Sequence, residues 1–280
     1  MKKSRLLLDV RMQWLTRAAL CCLAFASLCA VADEPSATDQ AADLAKKLSN
    51  PVAALISVPF KLDYDTGIGS ANADRYVFVV QPVIPLSLNE DWNVISRTIV
   101  PFIHADSPVQ GGSSLSGIGD VLQSFFFSPK ASTSGGWIWG VGPAFSMPSA
   151  SKDPLGTEKW SIGPTVVVLK QDSGWTYGLL ANHLWSVGGN SKRADVSATF
   201  VQPFLSYTTK RFTTFTLNTE SSYDWTARQW TVPINLSVSQ LVRIGKQPVS
   251  FAFGVREYAQ TPTGGPDWGV RFNVTLLFPK

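Results

Sequence analysis

Cysteine is nearly missing from this sequence, and the three it has, Cys21, Cys22 and Cys29, all lie within the first 32 residues. A chain that loses that stretch has no disulfide framework, no thiolate metal site and no cysteine nucleophile. Histidine is as scarce, with only His104 and His183, so a histidine-built metal centre has almost nothing to work with and no cofactor is expected. Beyond residue 32 no apolar run approaches the roughly 20 residues of a membrane-spanning helix. An excess of one charge is missing too. The formal charge of +4 comes from the N-terminus: residues 1–32 hold five of the 24 basic and one of the 20 acidic residues, and their removal leaves 19 of each sign. A chain so balanced has no electrostatic footprint for nucleic acid, and that class of partner drops out.

What the N-terminus does have is the layout of a secretory signal. Lys2, Lys3, Arg5, Arg11 and Arg17 precede the apolar run AALCCLAFASLCAV, which closes on Ala30-Val31-Ala32 before Asp33 and Glu34. Residues 1–32 therefore read as a signal peptide. Leu28 stands before Cys29 and Leu20 before Cys21, where a lipoprotein needs a small residue, so lipidation is not expected. Residues 33–51 read as a leader with a short helix over 39–51, carrying Leu44 and Leu48 on one face and stopped by Pro51. This helix is either a frayed approach to the first strand or a helix packed at the periplasmic mouth.

From Val52 to Lys280 the pattern has period 2. Twelve alternating segments fall at 52–62, 75–88, 92–104, 117–127, 136–148, 160–170, 175–186, 195–208, 213–225, 230–241, 248–258 and 268–278. Each matches or slightly exceeds the roughly 9–11 residues with which a tilted strand crosses a bilayer, and an even number is what bacterial barrels require. Short connections mostly alternate with long ones, as expected when turns lie on the periplasmic side and loops outside; the connection at 128–135 is long for a turn and that at 226–229 short for a loop. In the last segment Trp268, Val270, Phe272, Val274, Leu276 and Phe278 share one face, against Gly269, Arg271, Asn273 and Thr275 on the other. Periodicity cannot tell which face looks inward. The signal peptide and the tryptophans favour a greasy outside, because Trp92, Trp137, Trp139, Trp160, Trp175, Trp185, Trp225, Trp230 and Trp268 all fall near segment ends, where indole forms the aromatic girdles of a membrane barrel. The fold expected is all-β: a transmembrane antiparallel up-and-down β-barrel of about twelve strands, in the outer membrane of a Gram-negative bacterium with both termini periplasmic.

Two features disturb the pattern. The runs at 75–88, 124–129 and 165–170 are apolar on both faces, which predicts an interior that is partly hydrophobic or plugged. Pro82, Pro85, Pro101, Pro143, Pro164, Pro203 and Pro233 each remove a ladder donor, and so require bulges or breaks in pairing.

The runs LAKKLSNPVAALISVPF, QPVIPLSLNEDWNVISRTIVP, WIWGVGPAF, YGLLANHLWSVGG, QWTVPINLSVSQLV and GGPDWGVRFNVTLLFP resemble a proteobacterial family of transporter-like outer-membrane barrels, related to proteins of a MetA pathway of phenol degradation. The resemblance covers about residues 44–280. It implies an uptake role and carries over no substrate and no binding residues. Many such barrels end on an aromatic residue read by the barrel assembly machinery; here Phe278 is followed by Pro279 and Lys280.

Enzyme chemistry finds little support. Barrel phospholipases and lipid A deacylases place His and Ser two residues apart on one strand face, but the same-face neighbours of His183 are Ala181 and Trp185, and Ser186 points to the other face. No catalytic residue and no metal site is therefore expected. Candidate lumen-lining groups are Arg97, Asn218, Glu220, Asp224, Asn235, Arg256 and Arg271. Arg256 and Arg271 fall at similar heights and either select an anionic solute or pair with carboxylates to brace the wall. The function expected is diffusion or uptake of a small solute, of aromatic or hydrophobic kind if the resemblance holds. The alternatives are a lipid hydrolase and a closed structural barrel. Expected partners are outer-membrane lipids and lipopolysaccharide, the assembly machinery and the solute.

Overall fold

The computed structural model of the protein describes residues 35–279; the signal peptide reading lies outside them. A helix, α1 (Pro35–Leu48), precedes fifteen strands. They are β1 (Ile56–Ile68), β2 (Ala73–Val80), β3 (Val83–Ser87), β4 (Trp92–Ala105), β5 (Leu115–Ile118), β6 (Val121–Pro129), β7 (Trp137–Met147), β8 (Lys159–Asp172), β9 (Trp175–Gly189), β10 (Ser197–Thr208), β11 (Thr213–Thr219), β12 (Ser221–Asp224), β13 (Gln229–Ile244), β14 (Gln247–Gln260) and β15 (Trp268–Phe278). Every pairing is antiparallel between neighbours, and β15 returns to β1 from Ile56↔Phe278 to Thr66↔Trp268, which closes the sheet. Three staves are interrupted, β2/β3 at Gln81–Pro82, β5/β6 at Gly119–Asp120 and β11/β12 at Glu220, so the fifteen segments make a closed barrel of 12 strands.

The barrel is inside out relative to a soluble one. Leu217, Leu236 and Phe272 are 48%, 50% and 43% exposed, while Asn235, Ser250 and Thr275 are only 3–5% exposed. With the apolar set outside and the polar set inside, the tie left by periodicity breaks in favour of a lipid-facing wall. Among the described residues no helix is long and apolar enough to cross a membrane; closure lets strands cross instead, because a closed sheet has no open edge.

The prolines find their places at the interruptions. Pro82 lies in the β2/β3 gap, where Gln81 N donates to Pro59 O (3.0 Å) and Thr98 N to Pro82 O (3.1 Å). Pro101 and Pro203 stand opposite the other two gaps, β5/β6 and β11/β12. Pro233 sits at the bulge where β13 shifts register against β14. Pro143 and Pro164 face each other, each falling where the ladder to its other neighbour lapses. Pro85 lies beyond the start of β1, which pairs with β3 only at Ser57↔Val83. In each case the missing N–H falls where no strand waits to accept it.

The first strand starts later than the sequence suggests, at Ile56 and not Val52, and runs on through Ile68. Residues 51–55 are a plug inside the bore. Asn50 turns the chain, its Oδ1 accepting from Val52 N (3.0 Å) and its carbonyl from Ala53 N (3.2 Å). Val52 then packs among Ile95, Phe126, Val167, Leu169 and Leu180, most of them fully buried. Gly140 makes the room: a Cβ there would sit 3.4 Å from the Val52 side chain and 3.3 Å from Phe126 Cβ. Phe126, Val167 and Leu169 belong to the runs 124–129 and 165–170 that read as apolar on both faces, and burial of Val52 contributes about 1.5–3 kcal/mol to holding the plug. Beside it Leu44 and Ala45 of α1 pack with Ala53, Leu55, Leu241 and Leu277. The helix also begins at Pro35 and ends at Leu48, displaced from the expected 39–51. Lys46 and Lys47 in its last turn complement the helix dipole, and Gln171 Nε2 ties Lys46 O to β8 at 2.8 Å.

Candidate functional site

Above the plug the bore opens into a cavity of about 310 Å³. Its floor is Lys47–Pro51, Ala53 and Leu55; its walls carry the hydroxyls of Ser57, Ser206, Thr216, Ser237, Ser250 and Thr275 and the amides of Gln81, Gln202, Asn218 and Asn273. These polar groups share the lining with Pro59, Val83, Leu180, Phe204 and Ala252, and Lys47 and Arg97 are its charged members. Asn273 Oδ1 is buried and has no hydrogen-bond partner among the described residues. A second cavity, of about 200 Å³, is lined mainly by Ile99, Leu122, Leu184, Ala198 and Phe200, with Asn182 and Ser222. Arg97, on β4, borders both.

One side of the bore is occupied by an ionic cluster. Arg271 donates from Nε to Asp63 Oδ1 (2.5 Å) and from Nη2 to Asp63 Oδ2 (3.0 Å), and reaches both oxygens of Glu220 at 2.9 and 2.7 Å. Arg256 donates to Asn235 Oδ1 (2.8 Å), Asp63 Oδ2 (3.3 Å), Glu220 Oε2 (3.3 Å) and Asp65 Oδ1 (3.4 Å). Tyr258 and Arg75 add hydrogen bonds to Asp65, each 2.9 Å, and Lys61 lies 3.7 Å from Glu220. The register brings these groups together, since Asp63 faces Arg271 and Asp65 faces Arg75 across the sheet. Gly269 opposite Asp65 leaves the space, because a Cβ there would lie 2.7 Å from the Asp65 carboxylate. Glu220 sits in the β11/β12 gap, flanked by the hydrogen-bonded hydroxyls of Thr219 and Ser221.

Of the two readings left open for Arg256 and Arg271, the contacts match the brace: both guanidiniums are ion-paired with carboxylates. Asn235 and Asn218 bond each other at 2.9 Å beneath Arg256. Asp224 is not in the bore. As the last residue of β12 it folds back on the turn and accepts from Thr226 N (2.8 Å) and Ala227 N (2.9 Å). Asp63 and Asp65 escape the sequence reading because residues 63–74 read as a loop, and Lys61, Arg75 and Tyr258, though inside expected strands, have no visible role without them; the signal lies in KLDYD, where Lys61, Asp63 and Asp65 share one face.

The tryptophans fall in two groups. Trp92, Trp137, Trp139 and Trp175 lie at the α1 end, and Trp160, Trp185, Trp225, Trp230 and Trp268 at the opposite end. Several pack with aromatic neighbours, as in Trp92 with Trp139 (5.7 Å between centroids), Trp175 with Tyr207 (4.9 Å) and Tyr223 with Trp225 (4.8 Å). Both histidines belong to this outer face. His183 packs against Trp185 with ring centroids 4.1 Å apart and planes tilted by 47°, and its Nδ1 is 2.7 Å from Thr199 Oγ1, which also accepts from Trp225 Nε1. His104 Nδ1 is 2.6 Å from Ser116 Oγ, and its Nε2 is 3.5 Å from Asp106. That links hydroxyl, imidazole and carboxylate in a row, but Asp106 is half exposed and the pair joins β4 to the short β5. Among the described residues no group of His, Cys, Asp and Glu is arranged to hold a metal ion.

The fold has a solved counterpart: an outer membrane channel from Pseudomonas putida F1 superposes with a TM-score of 0.62 at 12% identity, over 80% of this chain and 96% of that one. Outer membrane phospholipase A from Escherichia coli also matches, at TM-score 0.47 and 12% identity over 80% and 92% of the two chains. None of the curated proteins matches the sequence. A family model described as "Putative MetA-pathway of phenol degradation" matches residues 45–279. That span takes in the end of α1, the plug and every strand, and the chain is a member of this family of outer-membrane β-barrels.

Proposed function

We propose that the protein is an outer-membrane channel for diffusion or uptake of a small solute, with α1, the plug and both termini on the periplasmic side. The observation that carries this is the cavity of about 310 Å³ inside a closed barrel, lined by hydroxyls and amides together with apolar side chains such as Val83, Leu180 and Phe204. Barrels of about eight strands fill their interior with side chains and those of 16–18 leave a wide channel; a bore of intermediate width, narrowed by a plug and an ionic brace, suits small molecules. The apolar second cavity supports a solute with an aromatic or hydrophobic part. Lipids and lipopolysaccharide cover the greasy face, and the exposed Phe278 near the C-terminus is offered to the barrel assembly machinery.

No catalytic role is assigned. His183 meets a threonine, and the His104–Ser116 contact reads as an inter-strand tie in the girdle. The experiment is single-channel conductance of the purified protein in a planar bilayer, with Val52→Asp as companion. Discrete steps that grow when the plug is loosened support the reading. A heat-modifiable barrel that stays silent in both forms would overturn it in favour of a closed structural barrel.

A further inference from the structure

Among the described residues Lys61, Arg75, Arg256 and Arg271 project into the bore with carboxylate partners: Lys61 with Glu220, Arg75 with Asp65, Arg256 with Asp63, Asp65 and Glu220, and Arg271 with Asp63 and Glu220; Lys159, at the end away from α1, pairs with Asp195. Arg97 also faces the bore. Among the described residues its guanidinium makes no hydrogen bond and no ion pair, although it stands between two cavities and not at the rim of the barrel. Its neighbours across the sheet, Val83 and Ser124, bring no negative charge, and Glu220 acts on it only through space, both its oxygens being bonded to Arg271 and Arg256. A guanidinium presents five donors in a planar fork that matches a carboxylate in two parallel hydrogen bonds. Left unpaired inside a barrel, it is a standing donor set awaiting an anion.

The surroundings say what kind of anion. On one side lies the larger chamber, where Gln202, Asn218 and Asn273, whose Oδ1 is buried without a partner, supply neutral hydrogen-bonding groups. On the other lies the cavity of about 200 Å³ bounded by Ile99, Leu122, Leu184, Ala198 and Phe200. An apolar cavity of about 150 Å³ is enough to admit benzene. A solute whose charged end meets Arg97 while its apolar body enters this cavity fills both environments at once. A purely apolar solute would leave the guanidinium desolvated and unmatched, and a small inorganic anion would leave the apolar cavity empty.

We infer that Arg97 is the recognition residue of a solute-binding site for small amphipathic carboxylates, with an apolar body of about one aromatic ring held against Phe200 and Leu184. The inference rests on the channel reading and sharpens it by naming the class of solute and the residue that selects it.

Benzoate, benzamide and acetate are the probes, titrated by calorimetry into the purified protein in detergent. Benzoate should bind, benzamide and acetate should bind at least tenfold more weakly, and Arg97→Met should weaken benzoate roughly ten- to hundredfold, the range for a lost charge-assisted hydrogen bond, while leaving benzamide unchanged. Equal affinity of Arg97→Met and wild type for benzoate overturns the site, and acetate binding as tightly as benzoate overturns the apolar half of it. If Arg97→Met does not give a heat-modifiable barrel, Arg97→Lys carries the test. It keeps the charge and loses the fork, so a severalfold loss confined to benzoate supports the site and unchanged benzoate affinity overturns it. Swelling of proteoliposomes in arabinose reads the channel separately. Arg97-dependent benzoate binding without swelling removes the channel and keeps the site; swelling without Arg97-dependent binding does the reverse.

Discussion

Replacing Asp63 with asparagine tests whether the ionic cluster holds the barrel wall together. In the wild type four cations, Lys61, Arg75, Arg256 and Arg271, share three carboxylates, Asp63, Asp65 and Glu220. Asp63→Asn keeps the shape and removes one of the three negative charges, while the Arg256 and Arg271 side chains stay only 8% and 13% exposed. Breaking a buried pair by removing one partner costs about 3–5 kcal/mol. Arg271 keeps both oxygens of Glu220 and Arg256 keeps Asp65, so the expected loss lies near the low end, about 3 kcal/mol. Pairing the change with Arg271→Met removes the orphaned cation, and the double variant should recover roughly 1–2 kcal/mol of that loss, within the range of coupling between directly contacting groups. The assay is urea unfolding of the barrel in lipid vesicles, followed by tryptophan emission. A single variant within about 0.5 kcal/mol of wild type, the ordinary spread of surface substitutions, or strictly additive losses in the double variant, would refute the brace.

Gly140→Val should drive the plug out of the bore, because a Cβ at that position already crowds Val52 and Phe126 at 3.3–3.4 Å; protease accessibility of residues 49–55 reads the release, and an unchanged digest counts against the packing described. Ser116→Ala should leave the protein without any change in lipid turnover, since wild type is expected to release no fatty acid from phospholipid vesicles; release by wild type that vanishes in the variant would make His104 part of an active site. In the 190–196 loop, the hydrogen bond and charge of Lys159, 2.9 Å away, hold the Asp195 carboxyl below the usual carboxylate range. A depressed folded pKa means that the tie is intact above that range and is lost as pH falls through the lowered value. Amide exchange in the loop should therefore rise only in strong acid, and Lys159→Met should remove the pH dependence; exchange that rises equally in that variant would assign the effect elsewhere.

Much of the fold was legible because a membrane barrel writes its two faces into alternate residues. Strands β13 to β15 follow that pattern nearly without interruption, and the tryptophans mark where strands end. The start of β1 was not legible. Val52, Ala53 and Leu55 are as apolar as strand residues, and nothing in periodicity distinguishes a plug from a wall. The same error displaced Asp63 and Asp65 into a loop and hid the partners of Arg256 and Arg271, so that the brace and the anion-selecting reading stood level. The gaps at Pro82, Gly119 and Glu220 depend on which strand stands opposite, which one segment read alone does not reveal. Arg97 was visible as an inward basic residue, but its lack of a partner is a property of the assembled bore.

The central claim is a wet, reachable interior inside a lipid-facing wall, and the absence of cysteine beyond Cys29 makes it directly measurable. Ser237→Cys, in the chamber wall, and Leu236→Cys, its neighbour on the opposite face, are each placed in liposomes and exposed to a small charged thiol reagent and to a lipophilic maleimide. The account predicts that the charged reagent modifies position 237 and not 236, and that the lipophilic one modifies 236. Protection of 237 from the charged reagent, or its reaction at 236, would contradict it.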